Sequence, residues 1–248
     1  VAGPAVAAAP AYESPTMPAQ VTPFITPIPT ATNTPTPLPT ATPDGYWPES
    51  AEQIAAHSLL GEQSGVYGFV VMEADGHIVS SYNSRTPFVT ASTYKVVLMA
   101  DIFKRIEKGE LALDQQVWLD PALFDKSGGD MYFLWSDANT SKPISELLFA
   151  VGAWSSNVSA LTLLTLTNPD ALNETAHEIG MEQTYLFANP NELPYWPPQP
   201  GVDSSKEDVD QAMAYILDSY AEEGWVNLTT PYDMATYQLG LINGTVIS

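Results

Sequence analysis

Twelve of the twenty-two prolines fall within the first 48 residues, many alternating with threonine and alanine, and no lysine or arginine occurs before Arg85. Proline fixes φ and removes a backbone donor, and the small side chains around it cannot bury enough apolar area to offset the entropy of ordering. Residues 1–48 therefore read as an extended, partly polyproline linker, with Pro29-Thr30-Ala31-Thr32 echoed by Pro39-Thr40-Ala41-Thr42. Folding is left to residues 49–248. A spacer of this kind suits the cell exterior. The Ala-rich opening lacks a basic n-region, so an export signal or anchor is expected to be removed or to lie outside this sequence.

Apolar residues make up 45% of the chain and aromatics 10%, enough for a core. The formal net charge is −21, which would repel nucleic acid and anionic lipid alike. All eight cations lie between Arg85 and Lys206, and six fall between Arg85 and Lys126. With no cysteine, disulfides, thiolate catalysis and cysteine-ligated zinc are excluded. His57, His77 and His177 are too scattered for a metal site. No run of eighteen apolar residues occurs, so no transmembrane helix is expected in this chain.

Ala51 to Leu60 has a helical pattern. Residues 66–72 and 77–82 read as strands around the turn Ala74-Asp75-Gly76, a hairpin signal. The segment from Leu111 to Leu119 reads as extended or irregular, followed by a glycine-rich loop at Gly128-Gly129. Helical patterns then run through Ser145–Trp154 and Val158–Leu166, from Asn168-Pro169 to Gly180, over 207–223, and from Thr230-Pro231 to Asn243-Gly244. A Pro/Trp-rich loop occupies 189–201. One domain of helices plus a partial sheet results.

The chemistry enters at Ser92-Thr93-Tyr94-Lys95, which opens the apolar run Val96 to Gly109. Apolar residues at helical spacing, cations in the last turn and a terminal glycine predict a mostly buried helix. Positions three apart share a helix face, so the Ser92 hydroxyl and the Lys95 amine are expected to point the same way. Burial lowers the pKa of an amine, which makes a lysine able to act as general base toward a neighbouring serine. Helix N-terminal amides would favour negative charge forming there.

These residues resemble the class A β-lactamases and related penicillin-binding serine hydrolases, whose motifs are Ser-x-x-Lys, Ser-Asp-Asn and Lys-Thr-Gly. The similarity runs through Phe88 to Lys95, Gly109 to Asp114, Ile144 to Leu148 with Ser155-Ser156-Asn157, Gly180 to Thr184, and Thr229 to Ala235. It covers roughly residues 51–248. The resemblance implies an α+β fold of β-lactamase/transpeptidase type, a helical subdomain packed on an antiparallel sheet, with the C-terminal strands missing from this chain. It implies that Ser92 attacks, that Lys95 takes its proton, that Ser155 relays a proton to the leaving nitrogen, and that Asn157 holds the substrate amide and orients Lys95. No metal or cofactor is required.

Three departures stand out. The middle aspartate of Ser-Asp-Asn is Ser156 here. The family's water-activating glutamate falls on Pro190 by ungapped counting, and Glu192 is the nearest carboxylate. No Lys-Thr-Gly follows the last helix, and Lys126-Ser127-Gly128, which fits the pattern, lies out of order and reads as a turn. The helix after Ser92 is then expected to face a sheet of only two strands. The partners implied are a small β-lactam or a peptidoglycan stem peptide, met outside the cytoplasm by a monomer. A D-alanyl-D-alanine peptidase and a noncatalytic wall-associated domain on the same scaffold are the alternatives.

Overall fold

Val97, Leu98, Ala100 and Ile102 recur at helical spacing and none is more than 1% exposed, which makes them the buried face of helix α1 (Tyr94–Glu107) in the computed structural model. That structure describes residues 66–194 and 206–247; the expected linker over 1–48 and helix over 51–60 lie outside the described residues. Lys104 and Arg105 occupy the last turn of α1, where the carbonyl ends favour cations. Gly109, at φ +74°, takes the left-handed conformation that leads the chain away.

Helix α1 packs against α3 (Ile144–Trp154), α4 (Asn157–Leu164) and α5 (Pro169–Glu178). Ile144, Leu147, Val158, Leu163 and Leu172 close the core between them at 0% exposure. Burial of each such aliphatic side chain contributes roughly 1.5–3 kcal/mol. A polar tie crosses the same interface. Arg105 Nε donates to Asp101 Oδ2 at 3.0 Å, and Thr175 Oγ1 of α5 donates to Asp101 Oδ1 at 3.1 Å, so both oxygens of this buried carboxylate are satisfied.

Strands β1 (Phe69–Met72) and β2 (Ile78–Tyr82) form the hairpin, with Phe69 opposite Tyr82 and Gly76 at φ +90° in the turn. Strand β3 (Phe88–Val89) delivers the chain to the start of α1. Between α1 and α3 lie β4 (Gln116–Trp118), α2 (Pro121–Lys126) and β5 (Ser141–Pro143), with β4 and β5 antiparallel. After α5 come β6 (Tyr185–Ala188), α6 (Lys206–Tyr220), β7 (Val226–Thr229) and α7 (Pro231–Ile242), which packs on β1. Asn168 and Thr230 cap α5 and α7, each followed by proline at the first helical position. No described helix is long and apolar enough to cross a membrane.

The hairpin is a sheet of two strands, as expected, but further strand pairing was missed. Besides the hairpin and the β4–β5 ladder, the described residues hold a three-stranded antiparallel ladder, β3-β7-β6, with Leu228 opposite both Val89 and Tyr185. Strands β6 and β7 carried no legible period. All four residues of β7 are buried, so its sequence does not alternate, and four residues are too few to separate a strand from a loop. The fold is α+β, with helices gathered around α1 and short antiparallel strands beside them.

Asp233 in the first turn of α7 is wholly buried. Its Oδ2 accepts from Gln183 N and Thr184 Oγ1, both at 2.8 Å, whereas Oδ1 has no hydrogen-bond partner among the described residues. Burial pushes this carboxyl above its ordinary value, against the opposing pull of those hydrogen bonds and of Arg85. A carboxyl whose folded pKa is raised stabilises the fold below the unfolded value, about 3.9, and loses that contribution as pH rises through the folded value. Thermal melts are therefore expected to fall as pH rises from 4. Asp233→Asn, which keeps an oxygen toward Gln183 and Thr184, should flatten that fall. Parallel melting profiles for parent and variant would contradict it.

Candidate active site

Strand β3 ends where Thr90 N donates to Asn227 O at 2.9 Å, so the β3-β7 ladder holds the chain immediately before the serine. Ala91 then adopts φ +44°, a left-handed conformation costing a residue with a Cβ about 1–2 kcal/mol. This sharp reversal starts a 3-10 turn, Ala91–Thr93, that runs straight into α1. Thr93 closes the turn by donating to Thr90 O from its amide at 2.9 Å and its hydroxyl at 2.6 Å. Ser92 thus sits on the 3-10 turn, where the sequence pattern had placed it on the α-helix itself. Three-residue spacing in such a turn still stacks side chains on one side. Ser92 is exposed, and Lys95 is only 3% exposed.

Lys95 Nζ lies 2.6 Å from Ser155 O, 2.6 Å from Asn157 Oδ1, 3.1 Å from Ser155 Oγ and 3.4 Å from Ser92 Oγ. Ser155 caps the C-terminus of α3 at φ 53°, ψ 34°, a left-handed residue at the junction with α4. The two shortest contacts are to carbonyl oxygens, which only accept, so they take two N–H bonds. A neutral amine has two N–H bonds and one lone pair. That lone pair is then left facing the Ser155 and Ser92 hydroxyls, and in the ammonium form the third proton occupies the same place. Burial holds the amine below the ordinary lysine value, and the charge of Asp130 opposes that shift. The 3.4 Å separation from Ser92 is long, of a kind that tightens when substrate is bound.

Asn157, the first residue of α4, is held at both ends. Its Oδ1 accepts from Lys95, and its Nδ2 donates to Ser127 O at 2.9 Å, which determines which way the amide faces. Ser127 ends α2, and Gly128 follows at φ +68°, so Lys126-Ser127-Gly128 meets the site through a main-chain oxygen.

Asp130 was not singled out by sequence reasoning. Its Oδ2 accepts from Ser156 Oγ at 2.7 Å and Val158 N at 2.8 Å; its Oδ1 accepts from Tyr132 N at 2.8 Å and Phe133 N at 2.9 Å. Burial opposes its ionisation, yet these four bonds prevail and hold the carboxyl below its ordinary value. The available signal was indirect: serine at position 156, where the resembled motif has aspartate, leaves a carboxylate to come from elsewhere.

Glu192 ends a 3-10 turn, Pro190–Glu192, and is exposed. It makes no hydrogen bond to Ser92, Lys95, Ser155 or Asn157, so the structure does not join it to the other four residues. Pro190, the ungapped position, is buried. Among the described residues no group of three or more histidine and carboxylate side chains is arranged to hold a metal ion.

This arrangement of helices and strands around a serine and a buried lysine is the one expected of a β-lactamase/transpeptidase-like fold. The chain belongs to the beta-lactamase enzyme family, whose model matches residues 49–248. Among solved structures it is similar to a beta-lactamase from Sphaerobacter thermophilus, with 22% identity and a TM-score of 0.58 over 79% of this chain and 63% of that one. It is similar to a point mutant of PBP-A determined as an acyl-enzyme complex with penicillin-G, at 20% identity and a TM-score of 0.52 over 79% of this chain and 63% of that one. A third is the D-alanyl-D-alanine carboxypeptidase DacD from Francisella tularensis, at 23% identity and a TM-score of 0.51, covering 71% of this chain and 37% of that one. At these identities the likenesses show the fold. The chain spans less than two thirds of the length of each of these three. No match is found among curated proteins.

Proposed function

We propose that the protein is a serine hydrolase that opens the β-lactam amide through an acyl-enzyme on Ser92. The observation that carries this reading is the buried Lys95 amine, held by two carbonyl oxygens so that its remaining valence faces the hydroxyls of Ser92 and Ser155. Lys95 takes the proton of Ser92 as Oγ attacks the carbonyl carbon. The C–N bond breaks, and the leaving nitrogen receives a proton from the Ser155 hydroxyl, which Lys95 re-protonates across 3.1 Å. Main-chain amides at the start of α1 favour the negative charge that develops on the carbonyl oxygen. Asn157 holds the substrate amide while keeping the lysine in line. Water then cleaves the ester and frees Ser92. Such substrates are met outside the cytoplasm, and we place the protein there.

The test is incubation of the chain with a fluorescent penicillin, followed by intact-mass and peptide-mass analysis. One adduct per chain, mapped to the peptide containing Ser92, is the expected result. A folded chain that takes up no label, or takes it elsewhere, would reject the reading.

A second reading, acylation by peptidoglycan stem peptides as in a D-alanyl-D-alanine peptidase, is favoured by the exposed position of Glu192. Peptide cleavage separates the two. Nitrocefin hydrolysis without cleavage of a D-Ala-D-Ala peptide supports the lactamase; cleavage of that peptide alongside a long-lived penicilloyl adduct supports the peptidase.

A further inference from the structure

The sequence Gly128-Gly129-Asp130 follows α2, and the two glycines adopt φ +68° and +112°. These conformations return the chain so that the Asp130 carboxylate faces the junction of α3 and α4. One of its oxygens is committed to its own loop, through Tyr132 N and Phe133 N; the other is committed to α4, through Ser156 Oγ and Val158 N. Asn157 bridges the same two segments in parallel, from Ser127 O on the loop to Lys95. Ser155, Ser156 and Asn157 are consecutive, so whatever anchors Ser156 and Val158 sets where the residues contacting the lysine stand.

We propose that Asp130 is a positioning residue for the Ser92–Lys95 pair: it clamps the start of α4 to the loop after α2, bringing Ser155 and Asn157 onto Lys95, and it places a negative charge against the two residues that flank Asn157, the lysine's partner. The proposal rests on the reading of Ser92 and Lys95 as the reacting pair. The groups in hydrogen-bonding contact with Lys95 are the side chains of Ser92, Ser155 and Asn157 and the Ser155 carbonyl, all neutral. Asp130 is the charged group whose field acts on it among the described residues. That field favours the ammonium and counters the effect of burial. The carboxylate therefore limits how far the amine departs from an ordinary lysine, while its four accepted hydrogen bonds stiffen the turn. Asparagine at position 130 would keep an oxygen for some of these bonds and remove the charge.

Two measurements on the full chain decide the matter. Lysine is labelled at Cε with carbon-13, the Lys95 resonance is assigned by its loss in Lys95→Met, and its titration is followed in the parent and in Asp130→Asn. The Lys95 midpoint is expected to move to lower pH in Asp130→Asn, and the acid limb of the fluorescent-penicillin acylation profile is expected to move with it. A residue with a merely structural role would lower the rate at every pH and leave the midpoint unmoved, and that outcome in a folded variant overturns the proposal. In the second measurement, Asp130→Ala is expected to acylate about 10²-fold more slowly, the scale of a small misplacement of reacting groups. Adding Ser156→Asp, which returns a carboxylate to the start of α4, is expected to recover most of that loss. An Asp130→Ala variant as fast as the parent, or a double variant as slow as the single one, overturns the clamp. Should the parent never acylate, the functional reading falls, and the lysine titration still decides the part played by Asp130.

Discussion

Replacing Lys95 with methionine is expected to lower the second-order rate of acylation by a β-lactam about 10²–10⁴-fold at neutral pH, the usual contribution of a positioned general base. The chosen side chain is unbranched and similar in length, so it fills the same space without the amine. Two effects of the substitution need separating. Loss of the base slows the chemistry, and loss of the donor strands Ser155 O and Asn157 Oδ1, each about 1–3 kcal/mol when a buried acceptor is left unpaired. Thermal melting of the variant measures the second effect. Stopped-flow labelling of the folded fraction measures the first. Ser92→Ala in the same assay should show no labelling at all, and it should melt near the parent because Ser92 is exposed. Labelling of Lys95→Met at the parental rate would remove Lys95 from the mechanism.

The second large effect is expected after acylation. Hydrolysis of the ester needs a water activated by a base within hydrogen-bond reach, and Glu192 makes no hydrogen bond to Ser92, Lys95, Ser155 or Asn157. Without that base, deacylation is expected to be slower by about 10²–10⁴-fold than in an enzyme that has one. A penicilloyl adduct should then accumulate in a burst and decay slowly by intact mass. Glu192→Gln should leave the decay unchanged. A decay that slows markedly in Glu192→Gln would show that this exposed carboxylate swings into place in the acylated protein, and the lactamase reading would then stand over the peptidase one.

Much of the local architecture was legible without coordinates. Helix α1 could be read because Val97, Leu98, Ala100 and Ile102 recur at a helical period and Lys104, Arg105 and Gly109 mark its end. The starts of α5 and α7 were legible because Asn168-Pro169 and Thr230-Pro231 combine a capping side chain with a proline that lacks the unused donor. The hairpin of β1 and β2 was signalled by its turn. Strands β6 and β7 were not legible, because a short strand buried throughout shows no alternation. Their pairing with β3 depends on residues far apart in the chain, as Phe88 opposite Thr229 illustrates.

The same division runs through the site. That Ser92 and Lys95 share a side follows from a spacing of three residues in a helical turn, a local constraint that holds in any chain folding helically there. The sequence by itself determined that much, together with the identity of the apolar face that buries the lysine. What the lysine touches was decided only by tertiary structure: Ser155 O, Asn157 Oδ1 and the loop oxygen behind Asn157 come from segments that approach α1 through core packing. Asp130 belongs to the same class. Its four hydrogen bonds join a glycine turn to a helix start 26 to 28 residues onward, and no periodicity encodes a contact made by a side chain reaching across a gap. Local conformation is set by neighbours in sequence, whereas the direction and charge of a site are set by neighbours in space.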